Sequence, residues 1–132
     1  SNEAFARTAV ACFAAQMDPT LGELEDIKTA VSEAVTNAIV HGYPNVLGKV
    51  LVKAKICEGN VLEVSVKDRG RGIPDVEKAR QPMFTTGGEE RSGMGFTIME
   101  SFMDHIAVKS VPGKGTTVTL RKKLAPRRRQ TA

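Results

Sequence analysis

The sequence has few cysteines and no long apolar run. Only Cys12 and Cys57 occur among 132 residues, each in an apolar context, so we predict buried free thiols and no disulfide framework. No apolar stretch approaches the roughly 20 residues of a membrane-spanning helix, and no signal-peptide pattern is present. We therefore expect a cytoplasmic protein with no membrane partner.

Internal repeats and interdomain linkers are also lacking. The length suits one compact domain with a core and is too short for two. We predict a single domain over residues 1–124, followed by a basic tail at 125–132.

The formal net charge of +4 is concentrated near the C-terminus. Residues 121–132 contain six basic residues and no acidic one, which leaves 13 basic against 15 acidic residues in the rest of the chain. A basic tail can bind nucleic acid. This tail has no interleaved aromatic residues and lies mostly beyond the last predicted strand. We therefore predict a solvated tail, with direct nucleic-acid binding as the weaker alternative.

Apolar periodicity divides the chain into helices and strands. A spacing of 3.6 predicts helices over about 3–16 and 21–41, the second opened by the capping-box pair Thr20 and Glu23. The first helix is expected to pack through Phe5, Ala9, Cys12 and Phe13. A period of two then predicts strands at 50–56 and 62–68.

A short helix at 74–80, a helix at 95–103 and a hairpin of 105–111 with 116–124 complete the pattern. The predicted fold class is α/β: a two-layer sandwich with helices packed on one face of a mostly antiparallel mixed sheet.

Asp68 is the first candidate site residue. It shares the parity of Leu62, Val64 and Val66, so its carboxylate points toward the apolar side of the strand. Burial there is costly unless a hydrogen-bond donor faces the carboxylate, and an adenine amino group is one such donor. Gly70 and Gly72 would let a ligand approach the backbone. Taken alone, Asp-x-Gly-x-Gly is more typical of a simple turn at a strand end.

Glu33 and Asn37 lie four residues apart and therefore share one helix face, off the main apolar stripe. The Asn37 carbonyl oxygen suits Mg²⁺, a hard cation that also borrows phosphate oxygens. Glu33, one turn away, is placed to accept a proton from an attacking hydroxyl or water. The alternative is a solvated polar stripe without chemistry.

The segment Ser92-Gly93-Met94-Gly95-Phe96 opens the helix that follows it. The first amides of a helix have no intrahelical partner, so such a terminus binds phosphate through its N–H groups and dipole. A flexible helix start is the alternative interpretation.

These three motifs, which follow each other in the order Glu33 to Asn37, Asp68 to Gly72 and Ser92 to Phe96, resemble conserved sequence motifs of an ATPase superfamily. That superfamily includes gyrase, Hsp90, histidine kinases and MutL. Within it, the chain closely resembles the anti-sigma-F factor family of endospore-forming bacteria, which are small serine kinases. The resemblance is carried by residues 31–39, 79–86 and 90–100 and extends over nearly the whole chain.

The resemblance implies that ATP and Mg²⁺ are the ligands. It implies Glu33 as the catalytic base, Asn37 as the metal ligand, and Arg7 and Arg91 as partner contacts. The nucleotide-binding residues it implies are Asn37, Asp68, Gly70, Gly72, Thr85, Thr86, Ser92, Gly93, Met94, Gly95, Phe96 and Thr116.

The implied function is that of an anti-sigma factor that acts as a homodimer. It would sequester a sporulation sigma factor and phosphorylate a serine of the anti-anti-sigma protein that opposes it. Two alternatives remain: the related kinase of a stress-response sigma factor, and a nucleotide-gated binding module without kinase activity. The segment at residues 80–86 favours the sporulation family over the stress-response kinase. The carboxylate of Glu33 favours a kinase over a binding module without catalysis.

Overall fold

The computed structural model describes residues 2–42, 48–70 and 96–125. The helices are α1 (Asn2–Ala14), continued by a 3₁₀ turn (Ala15–Met17), α2 (Leu21–Asn37), continued by a π-helical turn (Ala38–Gly42), and α3 (Phe96–Phe102). The strands are β1 (Val50–Cys57), β2 (Val61–Asp68), β3 (His105–Val111) and β4 (Gly115–Lys123). The helix predicted at 74–80 lies outside the described residues.

The four strands form one sheet in the order β1-β2-β4-β3. The three pairings are all antiparallel, so no parallel pair occurs in the described part of the sheet. Alternate residues of β2 are buried because helices cover one face of the sheet, and α2 lies between α1 and α3. The predicted two-layer α/β sandwich is confirmed.

Helix α2 is the central helix of the core. Its N-terminus has the predicted capping box: the Thr20 hydroxyl accepts from the Glu23 N–H at 3.0 Å, and the Glu23 carboxylate accepts from the Thr20 N–H at 2.9 Å. Ile27, Val31 and Val35 are buried at helical spacing. Leu21 shares the apolar spacing of this helix but is 83% exposed, because it occupies the first helical position, beyond the packed layer.

Removing the capping box tests how α2 is held. We expect Thr20→Ala to lower the free energy of unfolding by about 1 kcal/mol, because the Glu23 amide loses its acceptor. Thr8→Ala, on the exposed side of α1, is the matched control and should change stability by less than about 0.5 kcal/mol. Chemical denaturation of both variants checks this, and equal effects would contradict the capping role.

The predicted packing face of α1 was wrong for Phe5, Ala9 and Cys12, which are exposed, whereas Phe13 packs against the core as expected. The structure buries Val10 and Ala14 and leaves Phe5 75% exposed. Small apolar residues occupy most sides of this helix, so periodicity did not select one face. Phe5 and Phe13 instead line an apolar groove of about 530 Å³ between α1 and β1.

Both cysteines are free, as predicted, but neither is buried. Cys12 is exposed on α1 and Cys57 is half-buried, because Cys57 ends β1 on the parity that faces away from the helices. Within the described helices, none is long and apolar enough to span a bilayer.

Candidate functional site

Four residues on the helix-covered face of the sheet form a row across its strands. The registers pair Val50 of β1 with Asp68 of β2, and Asp68 with Thr116 of β4. Thr116 is paired in turn with Ser110 of β3. Asp68 and Thr116 are buried, with 5% and 7% of their surfaces exposed. Two of the residues predicted to bind a nucleotide are therefore direct neighbours.

The Asp68 carboxylate is the most unusual group in this row. It accepts hydrogen bonds from the backbone N–H of Gly70, at 2.9 Å, and from that of Thr116. Burial raises the pKa of the Asp68 carboxyl, and these two backbone bonds oppose the shift without cancelling it. Each carboxylate oxygen has two lone-pair positions, so the group can accept further donors from a ligand.

Gly115 holds β4 close to the end of β2. Its φ is +121°, and a Cβ added there would lie 2.2 Å from the Asp68 carbonyl oxygen. No side chain fits at that distance without displacing the backbone that carries Asp68. Gly115 is not among the residues that the sequence predicted to bind nucleotide. The structure makes it the residue that permits the row to form.

Substituting this glycine should damage both fold and site. We expect Gly115→Ala to cost about 3 kcal/mol of stability and to displace Asp68, because strain and a backbone clash add together. Gly113→Ala is the matched control: its φ is +81°, with no atom within 4 Å of the added Cβ. That variant should cost only about 1 kcal/mol. Thermal unfolding distinguishes the two, and similar losses would mean that close approach is unimportant.

Ser110 was missed by sequence reasoning. Its Oγ lies 2.8 Å from Thr116 Oγ1 and 3.2 Å from the Gly115 carbonyl oxygen. The available signal was parity: across the predicted hairpin, Ser110 faces the same side as Thr116. Exact register was needed to pair them, and periodicity alone does not supply it.

Helix α2 carries Glu33 and Asn37 on one face, as predicted. Asn37 is 7% exposed, and its Nδ2 has no hydrogen-bond partner among the described residues. Glu33 is half-buried. The π-helical turn that follows Asn37 packs beside β2 and β4, the strands that carry Asp68 and Thr116. The fold thus brings this end of α2 next to the two strands of the site.

A buried amide with an unsatisfied end fits the predicted metal and phosphate site. Its Oδ1 suits Mg²⁺, and its Nδ2 hydrogens suit a phosphate oxygen. No cluster of three or more His, Cys, Asp or Glu side chains that could bind a metal occurs in the described ranges. Mg²⁺ binds through few protein ligands together with phosphate oxygens and waters.

Helix α3 begins at Phe96 and packs against α2. Phe96 is 1% exposed, and its side chain belongs to the hydrophobic core. The Thr97 hydroxyl is buried and has no partner within the described part of the chain. Sequence reasoning missed Thr97, because threonine near a helix start is common.

The remaining predicted residues divide into two groups. Arg7 is half-buried on α1, and its partner contact stays a prediction. The others lie outside the described residues: Gly72, Thr85, Thr86, Arg91, Ser92, Gly93, Met94 and Gly95.

The sequence is similar to those of known ATPase-domain proteins. A histidine kinase-like ATPase domain family matches residues 2–122. The anti-sigma F factor of Thermoanaerobacter sp. (strain X514) is 61% identical over 122 residues, covering 92% of this chain and 85% of the relative. That of Geobacillus kaustophilus (strain HTA426) is 59% identical over 125 residues, covering 94% and 86%.

Solved structures give the same fold. The histidine kinase domain of the Erythrobacter litoralis EL346 blue-light activated histidine kinase matches with a TM-score of 0.57 and 27% identity, covering 78% of this chain and 48% of that one. The catalytic domain of histidine kinase ThkA has a TM-score of 0.62 at 24% identity, covering 78% and 68%, a likeness of fold alone. The fold, the buried Asp68–Thr116 pair and these relatives together place the chain in the anti-sigma F factor family, within the histidine kinase-like ATPase superfamily.

Proposed function

We propose that this protein is an ATP-dependent anti-sigma factor and protein-serine kinase. It sequesters a sporulation sigma factor and phosphorylates a serine of the anti-anti-sigma protein that would release that factor. The observation that carries the proposal is the buried Asp68 carboxylate beside Thr116, in a chain about 60% identical to anti-sigma F factors.

Asp68 and Thr116 recognise the adenine base. The buried carboxylate of Asp68 accepts a hydrogen bond from the exocyclic amino group of adenine. Without this bond, both the carboxylate oxygen and the amino group would be buried without a partner, which is costly. The Thr116 oxygen adds a second polar contact, directly or through a water. Gly70 and Gly72 leave room for the base beside the backbone.

The phosphates are held toward α2 and the start of α3. Asn37 is the protein ligand for Mg²⁺, which when bound neutralises charge on the triphosphate. We assign binding of the phosphate oxygens to residues 93–96, with Thr85, Thr86 and Ser92. Positioning of this kind supplies most of the catalysis in phosphoryl transfer.

Glu33 is the general base. It lies one helical turn before Asn37 and therefore beside the phosphates. Its carboxylate takes the proton of the substrate serine hydroxyl as that oxygen bonds to the γ-phosphorus and the bond to the β-phosphate oxygen breaks. The products are a phosphoserine on the antagonist and ADP.

The bound nucleotide selects the partner. For this, the sigma factor and the antagonist must bind the ATP and ADP forms with different affinities, because a ligand shifts an equilibrium only through differential binding. We place this exchange in the cytoplasm, in a homodimer, with Arg7 and Arg91 contacting partners. Residues 1–124 form the active domain in this proposal, and 125–132 form a tail without a catalytic role.

Partner binding in the two nucleotide states tests the proposal. Immobilised sigma factor should retain the protein at least tenfold more tightly with ATP than with ADP, a difference of about 1.4 kcal/mol. At nucleotide concentrations that just saturate the wild type, Asp68→Asn should lose this difference because it binds nucleotide much more weakly. Equal retention in ATP, ADP and no nucleotide would overturn the switch.

The second candidate function is that of a nucleotide-gated binding module without transferase activity. Retention that depends on nucleotide, combined with no phosphate on the antagonist, would favour it. The carboxylate at position 33 favours the kinase.

A further inference from the structure

We propose that Ser110 is a positioning residue that fixes the Thr116 hydroxyl as a hydrogen-bond acceptor and so selects purines with a 6-amino group over those with a 6-oxo group. The inference rests on the proposed ATP site. It adds a specificity role for a residue on β3, a strand on the opposite side of β4 from Asp68.

The two hydrogen bonds of Ser110 are the basis for assigning the hydroxyl protons. Ser110 Oγ donates to the Gly115 carbonyl oxygen at 3.2 Å. Either oxygen could donate in the 2.8 Å contact between Ser110 Oγ and Thr116 Oγ1. Because a serine hydroxyl has a single proton and we assign that proton to the Gly115 carbonyl, we assign the proton of this contact to Thr116. The Thr116 hydroxyl therefore points toward β3, and its lone pairs point away from Ser110.

The consequence appears on the other side of Thr116, where Asp68 is its register partner. The carboxylate of Asp68 offers only lone pairs when ionised. With the Thr116 proton committed to Ser110, both buried residues present acceptors and neither presents a donor. An exocyclic amino group supplies protons to such a pair. A 6-oxo group places a third acceptor against them and is rejected, because buried acceptors would remain unpaired.

Loss of the Ser110 hydroxyl should release this constraint. In Ser110→Ala the Thr116 hydroxyl has no acceptor on β3 and is free to rotate, so it can donate to a 6-oxo group. Affinity for ATP should fall slightly, and affinity for inosine triphosphate should rise. A purely structural role for Ser110 would weaken both nucleotides together and leave their ratio unchanged.

Calorimetric titration of ATP and inosine triphosphate tests the proposal. We expect the ratio of the two affinities to fall about tenfold in Ser110→Ala. Thr116→Val should lower the ratio as well, and Ser110→Ala should change it no further in that background, because Ser110 acts through Thr116. Ser65→Ala, a serine on the opposite face of the sheet, is the matched control and should keep the wild-type ratio.

The outcomes separate this inference from the proposed function. A wild-type preference for ATP that is unchanged in Ser110→Ala would overturn the positioning role and leave the ATP site intact. Additive effects of Ser110→Ala and Thr116→Val on the ratio would also overturn it. Failure of the wild-type protein to bind either nucleotide would instead refute the ATP site itself.

Discussion

Phosphoryl transfer should fall about a thousandfold when Glu33 is replaced by glutamine, because the amide cannot take the proton of the attacking serine. Affinity for ATP should change less than threefold, since glutamine keeps the size of the side chain and the site holds the nucleotide through other residues. The measurement is a single-turnover rate with the antagonist protein, together with ATP titration of the same variant.

A matched control lies on the same helix. Glu25 is exposed and, among the described residues, forms an ion pair with Lys28. Glu25→Gln should therefore retain the wild-type rate and lose no more than about 0.5 kcal/mol of stability. A Glu33→Gln rate within a few-fold of wild type would remove Glu33 from the role of base. Loss of ATP binding in that variant would instead assign it to nucleotide contact.

The second large effect is expected at Asp68. Asp68→Asn should weaken ATP binding about 100-fold, since the base loses a buried, charged acceptor. The same variant should be more stable without nucleotide, by about 1 kcal/mol at neutral pH, because a residue kept for binding is seldom optimal for stability. Asp18→Asn, at an exposed position after the 3₁₀ turn, is the control and should leave ATP affinity unchanged.

The pH dependence of this stability gain follows from the raised pKa of Asp68, whose cause is burial. Asp68 contributes most to the stability of the fold when its carboxyl is protonated, at pH values below 3.8, the usual pKa of aspartate. This contribution is lost as the pH rises through the pKa that Asp68 has in the folded state. The advantage of Asp68→Asn should therefore be largest at neutral pH and shrink as the solution is acidified. Denaturation at several pH values measures it; an advantage that grew on acidification would contradict the raised pKa.

The sequence was informative wherever a local rule places a side chain. Strand parity placed Asp68 on the buried face, since consecutive side chains alternate. Helical spacing placed Glu33 and Asn37 on one face of α2. The capping box at Thr20 marked the start of that helix. Each inference needed only neighbours within a few residues.

Other features depend on contacts between distant segments. The approach of Gly115 to the Asp68 backbone requires the register between β2 and β4, and the bond from Thr116 to Ser110 requires that between β4 and β3. On α1, small apolar residues on several sides left the buried face undetermined until the sheet and α2 were in place. Tertiary packing determines the strand registers and the buried face of α1, and local sequence patterns do not encode that packing.

Transfer of radiolabelled γ-phosphate from Mg·ATP to the purified anti-anti-sigma protein tests the central claim most directly. The account predicts label on the antagonist that hydrolyses to phosphoserine, requires magnesium, and is absent with Asp68→Asn. ATP binding without any labelled antagonist, or label on a residue other than serine, would contradict a protein-serine kinase.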